Sequence, residues 1–203
     1  MISKQILGIL AAVFALALPN SAPALDLGNS AFVQVGGPTS VPFGHYEFCK
    51  NSPKECGPSQ TQVDAVALTP DNWQQLVGIN AAVNAAVAPV TDQDQYAVEE
   101  LWTYPRGAGD CEDYALEKRR QLIAAGWADS ALLITVVRQQ TGAGHAVLLA
   151  RTDRGDLVLD NQDPDIHVWN ETPYTYLKRQ SQANSGEWVA VLDTRPVRVA
   201  LAH

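Results

Sequence analysis

Three side chains in the second half of the chain have the types that nucleophilic chemistry needs: Cys111, His145 and Asp160. Cys111 opens a segment, Asp110 to Ala125, that reads as a helix stopping at Gly126. A thiol at a helix N-terminus meets unsatisfied backbone amides and the positive end of the macrodipole, and both favour thiolate. His145 starts an apolar run after the glycine-flanked turn Gly142-Ala143-Gly144, and Asp160 closes the next run, Leu157-Val158-Leu159-Asp160. A tight turn between the two runs makes them antiparallel neighbours, with His145 across from Asp160. Imidazole can then take the thiol proton, and the carboxylate can fix the tautomer and steady the imidazolium. The thiolate is left to attack a carbonyl. Each residue alone has a plainer use, as a small core side chain, a satisfied polar group or a turn former. Their order and placement point to chemistry.

The elements that must hold these groups follow from periodicity. Thr69-Pro70-Asp71 is a helix start, with a hydroxyl cap, proline at the first helical position and an acid at the positive end. Trp73, Leu76, Val77, Asn80, Val83, Asn84 and Val87 then recur at three- and four-residue steps up to Pro89, which predicts an amphipathic helix. Residues 91–108 read as an acidic, then aromatic, loop with little helix. Beyond Gly126 the texture becomes β: residues 131–138, 145–151, 157–161 and 187–193 are rich in Val, Leu and Ile and are separated by Gly/Asp turns. Short connections predict an antiparallel sheet, so the expected class is α+β with the Cys111 helix packed on the sheet.

Composition and cysteine usage set the compartment. The chain has 203 residues, 46% apolar and 18% charged, enough for a core and too hydrophobic for a disordered chain. A formal charge of −8 is the wrong sign for a phosphate backbone, which argues against nucleic acid as a partner. Residues 1–24 read as a signal peptide: Lys4, the apolar run Ile6 to Leu18, then Ala22-Pro23-Ala24 as a small-x-small cleavage site. That run is short of the roughly 20 residues a membrane span needs, and no later run is long enough, so a soluble exported protein is expected. In an oxidising compartment Cys49 and Cys56 are expected to pair across a Pro/Gly/Ser-rich loop. Cys111 is then left without a mate. Residues 25–69 read as an irregular lead-in with one short strand near 32–35, and 70–203 as the domain proper.

The string Gly109-Asp110-Cys111-Glu112-Asp113-Tyr114-Ala115 carries a further signal, together with Lys118, Leu122, Gly126-Trp127, His145-Ala146-Val147-Leu148 and Val158-Leu159-Asp160-Asn161. It resembles the bacterial transglutaminase-like cysteine proteinases, among them periplasmic LapG-type enzymes that clip large surface adhesins. The similarity runs from about Trp73 to Gln180 and takes in Tyr96, Trp102 and Pro105. The resemblance implies a papain/transglutaminase-like fold with Cys111 as nucleophile, His145 as base and Asp160 as orienting acid. It also implies a periplasmic location, an adhesin-like protein substrate, regulation by an inner-membrane receptor and a calcium site at Asp110, Glu112 and Asp113. On the residues alone, those three acids either satisfy helix-start amides or hold a hard cation that reverses their field. The lead-in departs from the family pattern.

Two other functions share these residues: transglutaminase-type acyl transfer or amide hydrolysis, and a non-catalytic exported binding module with a structural Cys111. His45, His167 and His203 show no zinc-ligand spacing with one another or with the cysteines. His45 and Glu47 read as loop residues, and Trp102 as either a groove wall or a packing element. The backbone amide of Cys111 is the natural oxyanion donor.

Overall fold

A computed structural model describes residues 31–195; the expected signal peptide and His203 lie outside the described residues. Helix α2 (Pro70–Ala86) starts as its sequence dictates, with Thr69 accepting a hydrogen bond from the Asn72 amide at 3.1 Å. Around it lie α1 (Phe43–Asn51), the short α3 (Asp92–Tyr96) and α4 (Cys111–Ala124). A two-residue parallel pair, β2 (Ala88–Pro89) and β3 (Ala108–Gly109), ties the end of α2 to the start of α4. The remaining strands are β1 (Val35–Thr39), β4 (Leu132–Arg138), β5 (Gly144–Thr152), β6 (Gly155–Leu159), β7 (His167–Val168), β8 (Thr175–Gln180) and β9 (Trp188–Val191). They form one antiparallel sheet in the order β1-β9-β8-β4-β5-β6-β7. The architecture is the expected α+β, and α4 packs on β5 and β4.

The central strands are apolar on both faces because both faces are covered. Leu132, Ile134, Leu148, Ala150, Leu157 and Leu159 join Leu76, Leu116, Leu122 and Trp127 in the core under the helices. The alternate residues Leu133, Val137, Val147, Leu149 and Val158 pack on the other face against Val33, Trp169 and Tyr176. Period-two geometry sends successive side chains to opposite faces, so an unbroken apolar run is what this position requires.

Residues 31–69 are more ordered than their composition suggests. Their strand is β1, at Val35–Thr39 instead of 32–35, and it pairs with β9, joining the first and last strands of the sheet. The stretch also contains α1, whose nine residues bury only Gly44, His45 and Phe48. So narrow a buried face leaves no 3.6-residue stripe to read. Cys49 and Cys56 are joined by a disulfide. His45 is a core residue, not a loop residue: it is 1% exposed, between Trp102 and Trp188. Trp102 packs in this core instead of lining a groove, and a Cβ on Gly44 would stand 2.3 Å from its ring. Strand β8 escapes a reading by hydrophobicity because its sequence, TYLKRQ, buries Arg179 and Gln180. The Gln180 side chain completes the sheet by accepting from the Ile134 amide at 2.9 Å.

Candidate active site

Antiparallel pairing of β5 with β6 aligns Leu148 with Leu159, so His145 and Asp160 meet just beyond the last paired residues. His145 Nε2 lies 2.8 Å from Asp160 Oδ1, and both side chains are almost wholly buried. The same carboxylate accepts from the Gln162 amide (3.0 Å) and from the Tyr174 hydroxyl at its other oxygen (2.5 Å). Burial alone would raise the Asp160 pKa, but the bond and charge of His145, then Gln162 and Tyr174, outweigh it and hold the group below its ordinary value. An ionised Asp160 assigns the ring proton to Nε2 and leaves a lone pair on Nδ1, which the Gln162 side-chain amide approaches at 3.4 Å. The Tyr174 ring lies 5.4 Å from the imidazole and fixes its plane.

Cys111 is the first residue of α4 and is partly buried. Its Sγ accepts from the Ala146 amide at 3.3 Å, which seats the thiol against the residue next to His145. It also donates to Glu112 Oε2 at 3.1 Å. Burial first, then the Glu112 carboxylate, push the thiol pKa well up, opposing the helix dipole. The resting thiol therefore keeps its proton, and a base must remove it.

The acids beside the nucleophile divide. Asp92, Asp110 and Asp113 each offer an oxygen within 4.8 Å of the other two. Glu112 instead turns to the thiol. Asp92 comes from α3, where nothing in the acidic stretch around it distinguished it from Asp94. Its Oδ2 accepts from the Leu101 amide, and Asp113 Oδ1 accepts from the Thr103 amide at 2.9 Å. Of the other oxygens, Asp92 Oδ1, Asp110 Oδ1 and Asp113 Oδ2 are buried without a hydrogen-bond partner. Burial, with the neighbouring carboxylates adding to it, raises Asp92 and brings Asp113 to about 7. Three orphaned hard oxygens in a buried, mutually repelling set fit a hard cation. Gly109 allows the set to close, since a Cβ there would stand 2.5 Å from Asp113 Oδ2. A second trio, Asp163, Asp165 and His167, also lies within 4.8 Å, on the more exposed loop after Asp160.

Sequence reasoning did not anticipate Asp92, Gln162 or Tyr174. Tyr174 stands 14 residues from Asp160, outside any motif, and only the fold brings them together.

Residues 35–196 match the family model described as bacterial transglutaminase-like cysteine proteinase BTLCP. Among solved structures, calcium-bound LapG of Legionella pneumophila is 25% identical, with 68% of this chain and 77% of that chain covered and a TM-score of 0.52. LapG of the same organism in an EGTA-treated form is 28% identical over 61% of this chain and 69% of that one, at a TM-score of 0.51. Comparison with curated proteins finds no match. A family match over most of the chain excludes the non-catalytic binding module, and the chain belongs to the bacterial transglutaminase-like cysteine proteinases and is a cysteine peptidase.

Proposed function

We propose that the chain is an exported, periplasmic endopeptidase that cleaves a surface adhesin-like protein with a Cys111–His145–Asp160 triad. The observation that carries this reading is the pairing of the His145–Asp160 bond with the Ala146 amide on Cys111 Sγ, which brings thiol and imidazole to one end of β5. In this reading His145 Nδ1 takes the Cys111 proton, Asp160 stabilises the imidazolium, and Sγ attacks the scissile carbonyl. The imidazolium then protonates the leaving amine, and water, activated by the same imidazole, releases the acyl group. The backbone amide of Cys111, at the open end of α4, is the oxyanion donor.

Asp92, Asp110 and Asp113 would hold a calcium ion, with backbone carbonyls and water completing the 6–8 oxygens such an ion takes. Glu112, whose pKa Asp110 helps to raise, is near enough to the set to turn towards it. The bound ion would supply positive charge at the nucleophile helix and offset the acids that oppose thiolate formation. Calcium-bound and EGTA-treated forms of LapG support calcium as the choice of ion.

Incubation with an envelope extract, with and without calcium, followed by sequencing of new N-termini, tests the proposal. Cys111→Ala is expected to abolish cleavage with a nearly unchanged thermal midpoint, and comparable cleavage by the variant would remove the peptidase mechanism. Calcium chelation is expected to suppress cleavage, and Asp92→Asn to weaken calcium binding at least ~10-fold, measured by calorimetry. Full activity of metal-stripped protein would reduce the acids to holding the Leu101 and Thr103 amides of the preceding loop.

A further inference from the structure

The His145 side chain is 1% exposed, although it adjoins two largely exposed stretches, the 139–143 turn that joins β4 to β5 and the loop that follows β6. A glutamine from each links the two. Gln139 Nε2 donates to Gln162 Oε1 at 2.8 Å, and Gln162 Nε2 then lies 3.4 Å from His145 Nδ1. That is the nitrogen left with a lone pair while Nε2–H is bonded to Asp160.

A side-chain amide can present either end to a ring nitrogen, and its neighbours decide which. Here the Ala143 N–H donates to Thr141 Oγ1 (3.4 Å) and the Thr141 hydroxyl to Gln139 Oε1 (3.4 Å), which leaves the Gln139 amino end for Gln162. The row begins at a backbone N–H, a group that only donates, and runs head to tail to Nδ1. Gln139 is itself fixed by the turn, donating its N–H to the Ala143 carbonyl and accepting from the Gly142 N–H, both at 2.9 Å. The charged and titratable groups around the ring lie elsewhere: Asp160 at Nε2 with Tyr174 on it, and Cys111 on the α4 side, whose proton is held by Glu112. Strand β4 opposes His145 with the uncharged Val137. Asp163, Asp165 and His167 share a pocket with Gln162, where Asp163 pairs with His167 at 3.2 Å.

We infer that Gln162 is a positioning residue whose orientation Gln139 sets: it holds an N–H on His145 Nδ1 in the resting molecule and must withdraw or invert before that nitrogen takes the Cys111 proton. This role rests on His145 being the base of the proposed mechanism. Once Nδ1 is protonated, N–H faces N–H, so the glutamine bridge favours neutral imidazole and opposes the thiolate–imidazolium pair. The Glu112 bond to the thiol acts in the same direction. The resting site thus keeps thiol and imidazole on separate partners.

Imidazole NMR of the full protein, followed against pH, tests this without substrate. In Gln139→Ala, which alters only a surface turn, Gln162 is free to turn its carbonyl to Nδ1–H. His145 is then expected to titrate at least ~0.5 pH unit higher than in the wild type. Gln162→Ala, which removes the N–H, is expected to shift His145 upward too. Gln139→Ala added to that variant should shift it no further, since Gln139 acts through Gln162. Coincident His145 curves for the wild type and either single variant would overturn the inference and leave the bridge a loop tether. A Gln139→Ala shift that survives without Gln162 would overturn it as well. Neither readout involves proteolysis, so this role and the peptidase mechanism can fail separately.

Discussion

Two buried histidines in this molecule show how partners, more than burial, decide what an imidazole can do. His45 and His145 are 1% and 4% exposed, and each sits beside aromatic rings. Around His45 the Trp188 Nε1–H donates to Nδ1 (3.1 Å), so the single ring proton sits on Nε2, beside the Gln180 amide nitrogen (3.1 Å) and the disulfide sulfurs. Burial, then the charge of Arg119, depress its pKa to about 4. It has no acceptor to support a second proton and serves as a neutral packing and hydrogen-bonding hub. His145 faces a carboxylate at one nitrogen and keeps the other for exchange. Equal burial thus gives a fixed group in one place and, in the proposed mechanism, a proton carrier in the other.

The largest expected effects break this contrast outright. His145→Ala should lower cleavage at least ~10³-fold, as loss of a triad member does, with only a moderate change in thermal midpoint. His45→Ala should instead cost about 2–4 kcal/mol in chemical denaturation through its cavity and the stranded Trp188 donor, with the folded fraction keeping its specific activity. A His45 variant that is stable yet inactive would contradict the division.

A smaller effect is expected from Tyr174→Phe, which removes one hydroxyl from Asp160 and leaves the ring in place. Cleavage should fall about tenfold or less, the scale of one hydrogen bond to a charged group, with the fold unaffected. Equal rates would show that His145 and the Gln162 amide hold Asp160 unaided.

A final test sharpens the comparison through pH. His45 has a folded pKa near 4 against an ordinary 6.5, so the unfolded chain gains this proton first as pH falls. Its stabilising contribution is complete above about pH 6.5 and is lost as pH drops towards 4, on the order of 3 kcal/mol in all. Equilibrium denaturation of His45→Phe should show a flatter stability profile over that window, and a profile parallel to wild type would assign the acid sensitivity elsewhere.

Much of this was legible beforehand, for reasons specific to each residue. Cys111 lay at a helix start because Asp110, Gly126 and the intervening pattern are local signals. His145 and Asp160 could be placed opposite one another because a tight turn leaves adjacent strands little choice of register. The Cys49–Cys56 pairing followed from their spacing and from the expectation of an oxidising compartment. What escaped was non-local or unpatterned: α1 buries too few residues to show a period, and β8 hides its strand character behind buried Arg179 and Gln180. The acid trio was half legible. Asp110 and Asp113 stand in the motif, whereas Asp92 joins them only because the β2–β3 pair brings α3 back to the start of α4.

The amino-acid order by itself therefore determined the kind of chemistry and the elements that carry it, since caps, turns and periodicity act over a few residues. Which oxygens turn to one another, which histidine faces a carboxylate and which cations are buried were decided only by tertiary packing. Those outcomes depend on desolvation and on partners contributed by distant segments, and neither is a property of any short stretch of chain.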